Sequence, residues 1–224
     1  MAIGQTAKLP DGLSVDVVDG YDVPVWKRAL DITCIVVALP VLVPVFLLMA
    51  AGIKCVSPGP VLFLSERVGY RGRRFICFKF RTMKVNADSD AHRRHLADLM
   101  RSDAPMVKMD ANGDPRLIPL GRVLRATGLD ELPQLLNVLR GEMSLVGPRM
   151  ITLEEVQKYG KWGLNLHTVK PGITGLWQVT GRSELTYEER VRLDMNYIRN
   201  YSIWLDLQIL FQTIPAVVMS KGAY

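Results

Sequence analysis

Residues Gly121–Arg149 read GRVLRATGLDELPQLLNVLRGEMSLVGPR. Two short helices are expected here. The first opens near Pro119, whose missing N–H is not needed at a first helical position. It runs through Leu120, Val123 and Leu124 and stops at Gly128, because glycine takes the left-handed C-terminal cap at little cost. The second begins at Asp130 and carries Leu132, Leu135, Leu136 and Leu139 at i, i+3, i+4, i+7, an apolar stripe. Pro133 fits its first turn and Gly141 ends it. An Asp-Glu pair therefore sits at a helix N-terminus, with Arg122 and Arg125 upstream and Arg149 downstream. Such a setting attracts phosphate.

Ordinary structural roles account for the same letters. Asp is among the best N-caps, and Thr127-x-x-Asp130 fits a capping box. Taken alone, Asp130 reads first as a cap and only second as a nucleophile. A basic helix, a glycine turn and a second helix also match a DNA-reading helix-turn-helix. The rest of the chain has to separate these readings.

At 224 residues there is room for one ordinary domain and little more. Hydrophobic residues make up 49% and the mean hydropathy is +0.13, high enough to call for a membrane segment. The net charge of +6 is unevenly placed: Arg67–Lys84 holds seven basic residues and no acidic one. That cluster favours a phosphate-bearing partner, whether nucleotide, anionic lipid or nucleic acid. Cys34, Cys55 and Cys77 are scattered among apolar neighbours and read as buried thiols, with neither a disulfide framework nor zinc spacing.

Residues 1–24 are polar, rich in Gly and Asp, and are expected to form a flexible tail; no signal peptide is evident. Residues 25–56 form the membrane segment. Ile32 to Ile53 contains 22 residues without a charge, about 33 Å of helix, enough to cross a bilayer. Pro40 and Pro44 lie near its middle, where each removes a hydrogen bond and bends the helix. Both flanks are basic (Lys27 and Arg28 before, Lys54 and the later cluster after), and the positive-inside rule places both at the cytoplasm. These residues leave a straight span and a re-entrant hairpin bent at Pro44 both open.

Residues 57–224 are expected to form the one folded domain. Ser57-Pro58-Gly59-Pro60 breaks the chain. Val61–Val68 and Arg74–Phe80 read as a strand pair around a turn at Tyr70-Arg71-Gly72. Lys79 and Arg81 at the end of the second strand suit a phosphate or an anionic lipid surface. Asn86–Arg101 is a polar helix candidate; the two basic residues between His92 and His95 argue against a metal site there. Asp110-x-Asn112-x-Asp114 resembles the start of a calcium loop, but Pro115 and Gly121 stand where Gly and Glu are needed. Thr152–Trp162 reads as an amphipathic helix, Lys170-Pro171-Gly172 as a type II turn, and Leu176–Thr180 as a strand. In the helix near Thr186–Tyr201, Asp194 falls inside the apolar stripe of Val191, Met195 and Ile198. A carboxylate there is costly unless paired or metal-bound. Ile203–Met219 is apolar with a polar face of Asp206, Gln208 and Gln212, fit for the membrane interface or for the core.

Together these stretches resemble the bacterial sugar transferases, the monotopic polyprenyl-phosphate sugar-1-phosphate transferases. The likeness runs from Lys27 to Tyr224. It is carried by Lys27-Arg28-x-x-Asp31, Ser57-Pro58-Gly59-Pro60, Lys79-Phe80-Arg81-Thr82-Met83, Leu129-Asp130-Glu131-Leu132-Pro133-Gln134-Leu135, Asn137 through Ser144, Val146-Gly147-Pro148-Arg149, Lys170 through Gly175, and Gly181-Arg182. The ending Thr213-Ile214-Pro215-Ala216-Val217 looks most like the exopolysaccharide galactose-phosphate transferases of the ExoY type. The resemblance implies a mixed, helix-rich α/β domain with a re-entrant N-terminal membrane helix hairpin and amphipathic interfacial helices. It implies transfer of a sugar-1-phosphate, with galactose or glucose favoured, from a UDP-sugar to undecaprenyl phosphate. UMP is released with the help of Mg²⁺.

By the same resemblance Asp130 is the nucleophile and Glu131 holds Mg²⁺ or positions reacting groups. Lys79, Arg81, Arg125, Arg149 and Arg182 bind phosphate and substrate, and Asp130, Glu131 and Asp194 form the metal set. Pro40 and Pro44 bend the membrane helix. The chemistry is consistent: a carboxylate is ionised at pH 7 without tuning, covalent catalysis divides a transfer between unlike substrates, and the cations neutralise approaching anions. Two departures stand out: Val43-Pro44 replaces the Ser-Pro common at the family's bend, and Met150 follows Gly-Pro-Arg where many members have Pro. The expected setting is the cytoplasmic face of the bacterial inner membrane, among anionic lipids and without nucleic acid. Homo-oligomerisation is left open. The alternatives are a membrane-tethered helix-turn-helix regulator, whose reading helix would carry a repelling Asp-Glu pair, and a glycosyltransferase that releases UDP.

Overall fold

The computed structural model describes residues 3–8, 14–18, 22–87, 98, 104–105, 114–152 and 165–218. His92, His95, most of the helix expected over 86–101, the start of the calcium-like run and the helix expected beyond Thr152 lie outside these residues. Within the segment expected as a tail, strands β1 (Ile3–Lys8) and β2 (Ser14–Val18) pair antiparallel.

Helix α1 spans Val25–Val56 and stays helical through Pro40 and Pro44. By length and composition it is able to cross a membrane. It stops at Ser57, which is extended (φ −153°), because the following Pro58 disfavours the helical region for the residue before it. Its two ends are docked and its middle is bare. Near the start, Ile35 packs with Phe75, Cys77, Val138 and Met143. Near the end, Ile53, Phe46 and Met49 pack around Phe80, Ile118 and Leu124. Between them Val37 and Val41 are each more than 60% exposed.

Strands β3 (Leu62–Val68) and β4 (Arg74–Phe80) form an antiparallel pair from Leu62↔Phe80 to Val68↔Arg74. They are joined through a single 3₁₀ turn, Tyr70–Gly72. Helix α2 (Gly121–Thr127) ends at Gly128 with φ 72°, as the sequence leads one to expect. The next stretch differs. Leu129–Gln134 is a 3₁₀ helix, and α3 (Leu135–Arg140) follows it and ends at Gly141 with φ 80°. Pro133, inside this stretch, cannot donate the bond an α-helix needs. The tighter turn also shifts the phase of the expected stripe. Leu132 and Leu135 pack inward, whereas Leu136 and Leu139 are 41% exposed. No capping box forms at Thr127, whose hydroxyl bonds back to Val123 O at 2.8 Å. Asp130 lies in the first turn of the 3₁₀ helix, whose N-cap position is Gly128.

Strand β5 (Ser144–Val146) runs parallel to β6 (Gly172–Thr174). Gly172 thus belongs to a strand and not to a type II turn, and it lacks the positive φ such a turn requires. Glycine is needed for another reason: a Cβ at 172 would lie 2.1 Å from the Gly147 nitrogen. Helix α4 (Leu176–Thr180) stands where a strand was expected. The sheet is already completed by Gly172–Thr174, and burying Trp177 at 7% exposure outweighs local strand preference. Helix α5 (Tyr187–Arg199) opens on a complete Thr186–Glu189 capping box, and its inner face holds Val191, Asp194, Met195 and Tyr197. In helix α6 (Ile203–Val218) Gln208 and Gln212 are exposed as expected, but Asp206 is not. Asp206 is fully buried with Ile209, while Trp204, Phe211 and Ile214 are exposed.

Candidate active site

Asn137 on α3 helps to fix the Asp130–Glu131 segment to β4. Its amide copies a neighbouring strand: Phe78 N donates to Asn137 Oδ1 at 3.1 Å and Nδ2 donates to Ile76 O at 2.7 Å. A second Nδ2 bond, 2.6 Å to Glu142, and the backbone bond from Glu142 N at 3.0 Å close the turn after α3. Asn137 is wholly buried. With α3 held against β4, Lys79 on that strand reaches Glu131 one turn upstream.

Glu131 accepts from Lys79 Nζ at 2.7 Å and from Arg149 Nη2 at 3.1 Å. Burial pushes its carboxyl up, but these two cations prevail and hold it below the usual carboxylate range. Arg149 is presented by the β5 exit. Gly147 N donates to Thr174 O at 2.9 Å and Gly172 N to Pro148 O at 2.8 Å, so Val146-Gly147-Pro148-Arg149 lies along β6. Asp130 is half-buried immediately before Glu131.

Of the remaining candidates, Arg182 is within electrostatic reach of Glu131. Asp194 is 2% exposed, with Oδ1 buried and without a hydrogen-bond partner. Burial raises its carboxyl well above the ordinary range, against the opposing pull of Arg149 and Arg190. Arg149 thus links Glu131 and Asp194 electrostatically. Arg125 is set differently. It acts on Asp114, whose carboxyl is lowered to about 2, chiefly by its hydrogen bond to Arg116. Arg81 is turned away under the break after α1, 5% exposed, and donates to Ser57 O at 2.9 Å.

Among the described residues no three His, Cys, Asp or Glu side chains converge as a metal cage. The expected set of Asp130, Glu131 and Asp194 is thus not gathered into one cluster; Mg²⁺, which usually takes one or two protein carboxylates and completes its shell with substrate phosphate and water, would need only part of it. The buried, partnerless Asp194 oxygen and the Asp130-Glu131 pair are suitable donors.

Lys27-Arg28-x-x-Asp31 joins α1 to this site. Lys27 Nζ donates to Val146 O at 2.7 Å and to the Asp206 carboxylate, which also accepts from Tyr197 OH at 2.8 Å. Arg28 donates to the Val138 and Leu139 carbonyls at the end of α3. Asp31 accepts from Ser144 Oγ and Leu145 N, each at 2.9 Å. The buried bonds of Tyr197 and Asn137 and the inward facing of Asp206 are the supports of the site that sequence reasoning missed. The available signal was an Asp among apolar residues in Ile203–Met219, the same signal that picked out Asp194.

The family model for the bacterial sugar transferases matches residues 23–220. The chain is 40% identical over 203 residues to the exopolysaccharide production protein ExoY of Sinorhizobium fredii, covering 88% of each chain. It is 39% identical over 204 residues to the undecaprenyl-phosphate galactose phosphotransferase of Salmonella typhimurium, covering 88% of this chain and 41% of that one. It is 38% identical over 232 residues to the UDP-glucose:undecaprenyl-phosphate glucose-1-phosphate transferase of Escherichia coli, covering 97% and 47%. A match over nearly the whole chain, with Glu131 of the Asp-Glu pair seated between Lys79 and Arg149, makes this protein a transferase enzyme that belongs to the bacterial sugar transferase family.

Proposed function

We propose that the enzyme transfers a sugar-1-phosphate, galactose- or glucose-1-phosphate, from a UDP-sugar to undecaprenyl phosphate in a membrane step of exopolysaccharide synthesis. The observation that carries this reading is the Glu131 cradle. One carboxylate neutralised by two cations sits directly beside a second, half-buried carboxylate in the first turn of the same 3₁₀ helix. In the first step an Asp130 oxygen attacks the sugar-side phosphorus. A bond forms from that oxygen to phosphorus, the bond to the bridging oxygen breaks, and UMP leaves. In the second step an oxygen of the lipid phosphate attacks the same phosphorus, and the bond to Asp130 breaks. Arg149 and Arg182 take up phosphate charge, which is the main task in such transfers. Glu131 holds Lys79 and Arg149 in place. One or two of Asp130, Glu131 and Asp194 would hold Mg²⁺, which would supply charge neutralisation at the diphosphate.

A re-entrant course for α1 is supported by both of its ends docking on the same body while its exposed apolar residues lie between them. Its ends and the catalytic site then share the cytoplasmic face. Incubation of the membrane-embedded enzyme with undecaprenyl phosphate and UDP-galactose or UDP-glucose tests the reaction. UMP and a lipid-linked sugar diphosphate are expected; release of UDP would instead mark a transferase that passes the sugar alone.

A further inference from the structure

Arg182 has φ 51°, the left-handed region that a residue with a Cβ rarely adopts and that its surroundings must hold in place. Two bonds hold it. Its own Nε donates to Gln178 O at 2.8 Å, which ties the side chain back onto α4. Its carbonyl accepts from Arg190 Nη2, also at 2.8 Å. Arg190 reaches across from α5 and is itself seated, its guanidinium 4.4 Å from the centroid of the buried Trp177 ring. A planar guanidinium suits this double duty, stacking on an aromatic face while donating from its edge. The strained backbone, the bond to the strained residue and the stack all converge on Arg182.

We propose that Arg190 is a positioning residue for substrate phosphate: clamped on Trp177, it holds Arg182 in the left-handed conformation that presents its guanidinium to the UDP-sugar. This rests on Arg182 being a phosphate ligand in the reaction proposed above. Arg190 need not touch substrate. Its contribution passes through one carbonyl, so it vanishes when the Arg182 side chain is absent.

A double-mutant cycle in the full-length enzyme, in membranes with undecaprenyl phosphate and UDP-galactose, tests this. Arg190→Met keeps an apolar chain on Trp177 and removes the donor. It is expected to lower kcat/KM on the order of tenfold, mainly through KM for UDP-galactose, the scale of one lost charged hydrogen bond. Arg190→Lys, which keeps a donor, should recover part of the loss. In an Arg182→Ala background Arg190→Met should change kcat/KM by less than about twofold, the mark of a residue acting through its neighbour. Equal losses from Arg190→Met in both backgrounds would overturn the proposal, as would a lowered melting temperature with KM unchanged. If Arg190→Met fails to fold, Arg190→Gln carries the same cycle. Wild-type kcat/KM in Arg182→Ala would remove Arg182 as a phosphate ligand and the proposal with it. An impaired Arg182→Ala beside an unimpaired Arg190→Met would remove the proposal alone.

Discussion

Glu131 and Asp194 are both inward-facing carboxylates, and their neighbours drive them in opposite directions. Glu131 has two cations within hydrogen-bonding distance, so its ion pair stabilises the fold above the ordinary Glu value near 4.3 and is lost as pH falls below it. Arg149 contributes a forked donor as well as charge. Arg149→Lys keeps only the charge, and kcat/KM should fall on the order of tenfold to a hundredfold, the range for a charged hydrogen bond. Full activity in that variant would place Arg149 outside the site. Asp194 is the converse case. Its folded-state affinity for a proton is raised by burial, so the native state holds that proton after the unfolded chain has lost it. Stability therefore falls as pH rises above about 4 and toward the folded value. Asp194→Asn removes this penalty. Without divalent cations at pH 7, it should melt about 2–4 °C higher, equivalent to about 1 kcal/mol for a chain of this size, and yet lose activity. Thermal melts at pH 5 and pH 7 check this, the gain being larger at pH 7.

Among the elements, α1 depends on its first turns. Lys27→Met would leave the Asp206 charge buried without its cation, at about 3–5 kcal/mol, whereas pairing it with Asp206→Leu should restore much of that stability. Denaturant unfolding of the single and double variants in detergent measures the difference. Legibility at this scale followed the range of the forces involved. The β3–β4 pair, the α2 stop at Gly128 and the α3 stop at Gly141 depend on local turn chemistry, and they were readable. Gly172 was misread because a glycine required by the close approach of Gly147 looks the same in sequence as one required by a turn. Leu176–Thr180 was misread because partners far along the chain override strand preference. Asp130 and Glu131 could be named from the sequence, but the Asn137 bridge that brings Glu131 to Lys79 spans 59 residues and has no local signature.

For the molecule as a whole, the docking of both α1 ends on one body carries the proposal that both ends and the site share one membrane face. A cysteine at Ser14→Cys and the native exposed Cys55 should both be labelled only from the cytoplasmic side. Periplasmic labelling of the tail would mean a straight span. Pro44→Leu should straighten the helix and move the tail outward. Such a placement matters because, in the proposed reaction, a water-soluble UDP-sugar and a lipid phosphate would meet at one carboxylate, a meeting that two-step transfer would make workable. The most direct measurement of that claim is intact-mass and peptide analysis of the enzyme given UDP-sugar and no lipid acceptor. UMP release should stop at about one equivalent of enzyme, and the peptide holding Asp130 should gain the mass of a sugar phosphate, while folded Asp130→Asn does neither. The same mass on another residue, or an Asp130→Asn variant that turns over, would contradict it.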